Sequence, residues 1–307
     1  MNETTREFLK IVSDIQGNEL ETAAFNIRED SQCAGRQSTP NIKIDSKEDG
    51  PGLVIHISKN AQKETVYIPA CVTHGDVNDL VYNDFHIGEG ADVLIVAGCG
   101  IHNSGDKLSR HDGIHTFYIG KNARVKYVEK HYGKGDGNGE NVMNPTTIVN
   151  IEEGGYMEME TVQIKGIDST NRVTKGKLDK DAKIVITERI MTHGNQTATT
   201  RFEVDMDGDG SSANVISRSV ARDNSKQVFY SVINGNARCN GHSECDAIIM
   251  DNAKISAIPE ISANDLDASL IHEAAIGKIA GEQLIKLQTL GLTEAEAEEQ
   301  IVNGFLK

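Results

Sequence analysis

The chain repeats one short signature at a nearly constant interval: an apolar residue, a polar or glycine corner, a small residue, then β-type alternation. It reads Ile87-Gly88-Glu89-Gly90-Ala91-Asp92-Val93 and again Ile119-Gly120-Lys121-Asn122-Ala123-Arg124-Val125. Further copies start at Ile151, Leu178, Met206, Ile233 and Met250, so that successive starts lie 32, 32, 27, 28, 27 and 17 residues apart. Short alternating strands such as Arg124 to Glu129 cannot bury an apolar face alone, whereas stacked coils of two or three strands can. The pattern predicts a mainly β protein with a parallel β-helix core over residues 43–262. An antiparallel sandwich with turns at the same places is the alternative.

Composition agrees with many tight corners: 29 glycines, 5 prolines and no tryptophan in 307 residues. A formal charge of −15 argues against a nucleic-acid partner and against an anionic membrane surface, since both need a cationic face. No apolar run of about 18 residues is present to span a bilayer, and the N-terminus MNETTREFLKIV lacks a secretory-type apolar stretch. The expectation is a soluble, cytoplasmic protein. Five scattered cysteines, Cys33, Cys71, Cys99, Cys239 and Cys245, read as free thiols in a reducing compartment rather than a disulfide framework.

The ends differ from the middle. Phe8, Ile11, Val12 and Ile15 recur at helical spacing, which predicts a short helix within an N-terminal helical and irregular segment, residues 1–42. Residues 263–307 read as a C-terminal helical domain. Ile276, Ile279, Ala280, Leu284 and Leu287 form one stripe that Gly291 stops, and Thr293 with Glu296 makes a capping box for a second helix carrying Ala297, Ile301, Val302 and Phe305 on one side. Such a pair can cap a solenoid, present a binding face, or do both.

Three residue types carry candidate chemistry. Cys245 is followed by the pair His272-Glu273, and a thiol, an imidazole and a carboxylate are ligands suited to iron or zinc. In an extended strand His272 and Glu273 would point to opposite faces. A lone cysteine in a strand is most often a small buried hydrophobe, and a surface His-Glu pair can simply cap the following helix, where an acidic residue is favoured. Cys239, His242 and Cys245 lack a fourth ligand for structural zinc. Gly133 to Gly139 departs from the phosphate-loop order. Asp205 to Gly210 imitates a calcium loop, but Ile216 stands where the bidentate glutamate is needed.

The segment from His272 onward resembles the C-terminus of the SufB/SufD family of iron–sulfur cluster assembly scaffolds. His272, Glu273, Ala274, Lys278, Ile279, Glu282, Gln283, Leu284, Gly291, Ala297, Ile301, Gly304 and Phe305 follow the family's order. The resemblance implies a parallel β-helix flanked by helical ends, and a non-hydrolytic scaffold that holds a transient iron–sulfur cluster. It implies Cys245, His272 and Glu273 as cluster ligands at a dimer interface. Cys99 falls where SufB has a cysteine implicated in sulfur transfer, with Ala97 in place of the family's glutamate, and stays open between function and packing. His111 also falls on a family histidine, of no assigned role. A SufC-like ABC ATPase is the implied partner, docking on Ile276, Ile279, Leu284, Leu287, Ile301 and Phe305. The chain would pair with itself, as a single-gene homodimer, or with a paralogous SufB/SufD subunit. The sulfur donor, the cluster type and any part played by flavin stay open. The alternatives are an intracellular β-helix enzyme acting on carbohydrate and a purely structural solenoid.

Overall fold

In the computed structural model all 307 residues are described, and twenty-one strands, β1–β21 in chain order, form two long sheets. The first sheet runs β2 (Gln32–Gln37), β1 (Ala24–Glu29), β5 (Gln62–Tyr67), β8 (Asp92–His102), β10 (Arg124–Lys134), β13 (Tyr156–Lys165), β15 (Lys183–Thr192), β17 (Ser212–Ala221), β19 (Asn240–Ile249), β21 (Ser269–Gly277), with β6 (Ala70–Val72) between β1 and β8. The second runs β20 (Lys254–Ala263), β18 (Lys226–Gly235), β16 (Thr197–Met206), β14 (Ser169–Leu178), β11 (Asn141–Met143), β9 (Ser109–Ile119), β7 (Asn78–Ile87), β4 (Gly52–Ile57), β3 (Ile42–Ser46), with β12 (Thr146–Ile151) between β9 and β14. Only β1–β2 and β3–β4 pair antiparallel. The fold is the parallel β-solenoid that the repeat predicts, and its sheets extend past residues 43–262, taking in β1 and β2 before that span and β21 after it.

Along the first sheet, paired residues advance by one coil: Asp92, Arg124, Tyr156, Lys183, Ser212, Asn240 and Ser269 stand in one row. Six of the seven signature corners carry the chain from the second sheet to the first. The seventh, at Met250, lies on the opposite side, between β19 and β20. The short last interval is therefore a half-coil. Corner residues Gly90, Asn122, Gly154, Asp181 and Gly210 all have positive φ, where glycine, asparagine and aspartate are least penalised. Each donates its N–H to the next corner, as Asp181 does to the Asp209 carbonyl at 2.8 Å. The calcium-loop mimic is one of these corners.

Alternate residues of each strand face inward, and a core of 37 buried residues runs the length of the solenoid. Helix α1 (Glu3–Val12), capped by Asn2 accepting from the Thr5 N–H at 2.8 Å, lies against the outer face of the first sheet. It sits on Gly98 and Gly100. A Cβ at Gly98 would come within 2.2 Å of the Val12 carbonyl oxygen, and one at Gly100 within 2.6 Å of the Phe8 ring. Lys134–Glu7 and Lys130–Asp14 ion pairs tie the helix and the residues after it to β10.

Helices α2 (Gly281–Thr289) and α3 (Glu294–Phe305) follow β21, and the Thr293–Glu296 capping box is present. They do not cover the end of the solenoid. Val302 and Leu306 pack on Val220 of the outer wall, with Ile164, Met191 and Ile248 around them. The expected stripe from Ile276 is corrected here, because β21 stays paired to β19 through Gly277 and leaves Ile276 and Ile279 outside the helix. The last strands, β20 and β21, remain an open edge with Ile258, Ile261 and Ile271 exposed.

Candidate functional site

Stacking turns one inward strand position into a column, and two adjacent columns of the first sheet are polar. One begins at Cys99 and continues through His131 to Gln163. The other runs Ala97, Glu129, Thr161, Glu188, Ser217, Cys245, Ala274. The two cysteines that sequence reading singled out thus lie toward opposite ends of one buried track. Five inter-strand steps of about 4.8 Å separate them by roughly 24 Å.

At the first end, Arg28 grips Asp79 with Nε–Oδ2 at 2.9 Å and Nη2–Oδ1 at 2.6 Å. Asp79 in turn meets His111 Nδ1 at 3.0 Å. Burial alone would push the Cys99 thiol up, but the His111 and His131 imidazoles beside it outweigh burial and bring it down to about 7. His111 is raised to about 10, against its burial, by the Cys99 thiolate and Asp79. Both shifts favour a thiolate beside an imidazolium with an aspartate behind it, an arrangement suited to an activated nucleophile. A small cavity against Cys99 is lined by Asn26, Arg28, Asn83, His111 and His115.

The middle of the track alternates charge. His131 donates to Gln163 Oε1 across 3.2 Å and faces Glu129 at 3.5 Å. Its pKa rises to about 9 against its burial, Glu129 and Cys99 together outweighing it. Arg172, from β14, forms an ion pair with Glu129 and reaches Glu188 at 3.7 Å. Glu188 accepts from Ser217 at 2.8 Å and Thr200 at 3.0 Å, and burial nonetheless raises its pKa. Arg172, Glu129 and Glu188 are each at most 3% exposed. A side branch runs from Glu129 through Tyr127, whose hydroxyl donates to it at 3.1 Å, to His115 at 2.9 Å.

At the far end, Cys245 is 1% exposed, beside Ser217 on one side and Ala274 on the other. Burial, helped by Glu188 and Asp246, pushes its thiol up to about 12. His272 lies on the same inward face, paired with Ser243 on the strand that carries Cys245. Its Nδ1 is buried and has no hydrogen-bond partner. Glu273 points to the outer face, where it meets His242 Nε2 at 3.4 Å. Of the three expected ligands, then, Cys245 and His272 share one face within a chain and Glu273 does not. His242 is also outward, so Cys239, His242 and Cys245 do not converge. Cys33 is exposed, and Cys71 is buried on the face opposite Cys99, beneath α1.

The residues expected to dock a partner split similarly. Ile279 and Phe305 help hold α2 and α3 to the wall, and Leu284, Leu287 and Ile301 are half-buried. Ile285 and Leu290, which sequence reading omitted, are the most exposed apolar side chains of the helical pair. Asp79, Glu129, His131, Arg172 and Glu188 were also missed.

The family described as SUF system FeS cluster assembly, SufBD core domain, matches residues 79–305. The chain is similar to an iron–sulfur cluster assembly SufBD family protein of Methanocaldococcus jannaschii, at 30% identity over 91% of this chain and 89% of the relative. It is similar to one from Archaeoglobus fulgidus at 28% over 85% of this chain and 69% of that protein. A third, from Pyrococcus horikoshii, is 23% identical over 98% of this chain and 94% of its own length. No helix is long and apolar enough to cross a membrane.

Proposed function

This chain belongs to the SufBD family of iron–sulfur cluster assembly proteins, and from that premise we propose that it is the scaffold on which a transient cluster is built, using two cysteines of one chain for successive tasks. Cys99 receives sulfur and Cys245 holds the growing cluster. The observation that carries this reading is the single buried polar track between the two thiols. At the receiving end, the Cys99 thiolate attacks the outer sulfur of a persulfide donor. The donor's S–S bond breaks, the donor leaves as a thiolate, and Cys99 becomes the persulfide. No further thiol lies between the two ends of the track, so sulfur released reductively, by two electrons from an external reductant, would travel as a small anion past His131 and Arg172.

Cys245 and His272 supply a soft and a borderline ligand on one face at the open end of the solenoid. A second copy, or a paralogous SufB/SufD subunit, pairing with the unpaired backbone edges of β20 and β21 would bring a second such set alongside and could turn Glu273 to use from across the interface. The ATPase we infer, a SufC-like ABC protein, docks on α2 and α3, where Leu284, Leu287 and Ile285 offer apolar surface. Because Cys245 is covered, some opening of the end coil is needed to load it, and an ATP-driven movement of the docked helices supplies a cause. Membership of a family named for cluster assembly sets the carbohydrate-enzyme and inert-solenoid alternatives aside.

The test is anaerobic reconstitution with iron(II), a reductant, and either free sulfide or a protein persulfide. Wild-type chain should acquire a visible chromophore from both. Cys245→Ser should acquire it from neither, and Cys99→Ser from free sulfide only. A Cys245→Ser protein that assembles a cluster as well as its parent refutes the reading.

A further inference from the structure

On the outer wall, behind Cys245, three side chains converge with no role in the buried track. His242 and Glu244 project outward from β19 and Glu273 from β21, and one ligand atom of each lies within 4.8 Å of the others. Glu244 and Glu273 stand directly opposite each other on neighbouring strands, an arrangement of like charges that destabilises a sheet unless something neutralises it. The next outward position shows the contrast. Asp246 has Arg218 opposite it on β17, whereas Glu244 has Ile216 there. Asp246 adds to the crowding, and burial together with Asp246 raises the pKa of Glu244.

His242 is held ready. Its Nδ1 donates to Asn214 Oδ1 at 2.9 Å, which fixes the ring, and its Nε2 faces Glu273 Oε2, 3.4 Å away. A second partner that fixes tautomer and ring orientation is the usual support of a metal-bound histidine. The His242–Glu273 separation suits an ion as well: two ligands each about 2.1 Å from one metal stand roughly 3.0 Å apart in octahedral geometry and roughly 3.4 Å in tetrahedral geometry. A groove of about 260 Å³ lined by Asn214, His242 and Ile271 borders the histidine.

We propose that His242, Glu244 and Glu273 form a mononuclear site for a divalent first-row transition-metal ion within one chain, separate from the Cys245 thiol. One nitrogen and two carboxylate oxygens are borderline-to-hard ligands, and three residues leave positions open for water. Resting on the scaffold reading above, the ion in use is ferrous iron, bound on the outer side of the same two strands that carry Cys245 and His272. The site gives iron a holding place that does not consume the thiol.

The experiment titrates the full chain with cobalt(II), and with iron(II) anaerobically, following d–d absorption and equilibrium dialysis. Wild type should bind one ion with a spectrum of nitrogen and oxygen ligation. His242→Ala and Glu244→Gln should each weaken binding at least tenfold, and Cys245→Ser should leave it unchanged. Both outer substitutions sit on a solvent-facing wall, and unchanged thermal unfolding of the metal-free proteins confirms that they fold. Undiminished binding in His242→Ala overturns the proposal, as does sulfur-to-cobalt charge transfer that vanishes in Cys245→Ser. Either failure leaves the cluster assay on Cys245→Ser intact, so the two readings fail separately.

Discussion

Replacing Arg172 with methionine is the most direct probe of the buried track. The guanidinium is the one cationic group that touches both Glu129 and Glu188, and all three side chains are at most 3% exposed. Methionine keeps the stem and removes the charge, leaving two carboxylates in the interior. Breaking a buried pair in this way costs about 3–5 kcal/mol. With an m-value of about 3 kcal/mol/M the urea midpoint should fall by roughly 1 to 1.7 M. The sign of the pH dependence is fixed too. Burial already raises the pKa of Glu188, and losing Arg172 raises it further, so the folded variant binds protons that the unfolded chain does not at mildly acidic pH. Its deficit against wild type should therefore shrink as pH falls from 8 to 5. Adding Glu129→Gln should recover much of the loss, giving a coupling energy in a double-mutant cycle. A single-variant cost below about 1 kcal/mol, or a deficit independent of pH, would show that water or relaxation satisfies these groups and that the track is not closed.

Four further outcomes follow from the same geometry. Thiolate absorbance should show one group titrating near pH 7 that disappears in Cys99→Ser and persists in Cys245→Ser; loss in the latter alone would reverse the assignment. His115, lowered to about 4 chiefly by burial, contributes stability that is full above its ordinary pKa near 6.5 and is lost as pH falls through 4, about 3 kcal/mol in all, so His115→Gln should flatten the acid limb of a stability–pH curve. Gly100→Val drives a side chain into the Phe8 ring and should cost about 1–3 kcal/mol or release α1 to limited proteolysis, and an unchanged digest and midpoint together would count against that contact. Leu284→Asp or Ile301→Asp should abolish co-purification with the ATPase while the far-ultraviolet β signal is kept, and retained binding in both places the dock elsewhere.

The coil architecture was legible because its determinants are local. Five of the six corners that lead into the first sheet use a residue at positive φ, and Gly90, Asn122, Gly154, Asp181 and Gly210 supply it at the coil interval. The half-coil at Met250 was misread for the same reason: both edges of a coil need a corner, and the signature does not say which edge it serves. The C-terminal stripe ran too far upstream because Ile276 and Ile279 fit helical spacing, while pairing of Ala247 with Ile276 keeps that segment extended. Tertiary pairing overrode a local periodicity.

The buried track was hidden by residue type rather than by distance. Glutamate and arginine are residues that patterning assigns to solvent, so Glu129, Arg172 and Glu188 read as outer-face charges although alternation from Val125 and Tyr127 places Glu129 inward. Coil arithmetic was the available signal. Once Cys245 is singled out, stepping back one coil at a time meets Ser217, Glu188, Thr161 and Glu129, four polar residues on a face that should be apolar. A stack of polar groups inside a solenoid costs desolvation at every step that is left unpartnered; here Arg172 and Thr200 of the facing sheet partner the two glutamates, which no single-strand pattern can show, while the Thr161 hydroxyl has no partner. Alternation did separate His272 from Glu273, and the consequence reaches the chemistry: within one chain the thiol's companion on the inner face is the imidazole. The carboxylate belongs with His242 and Glu244 outside, so a ligand set that uses both faces of β21 has to draw on a second chain.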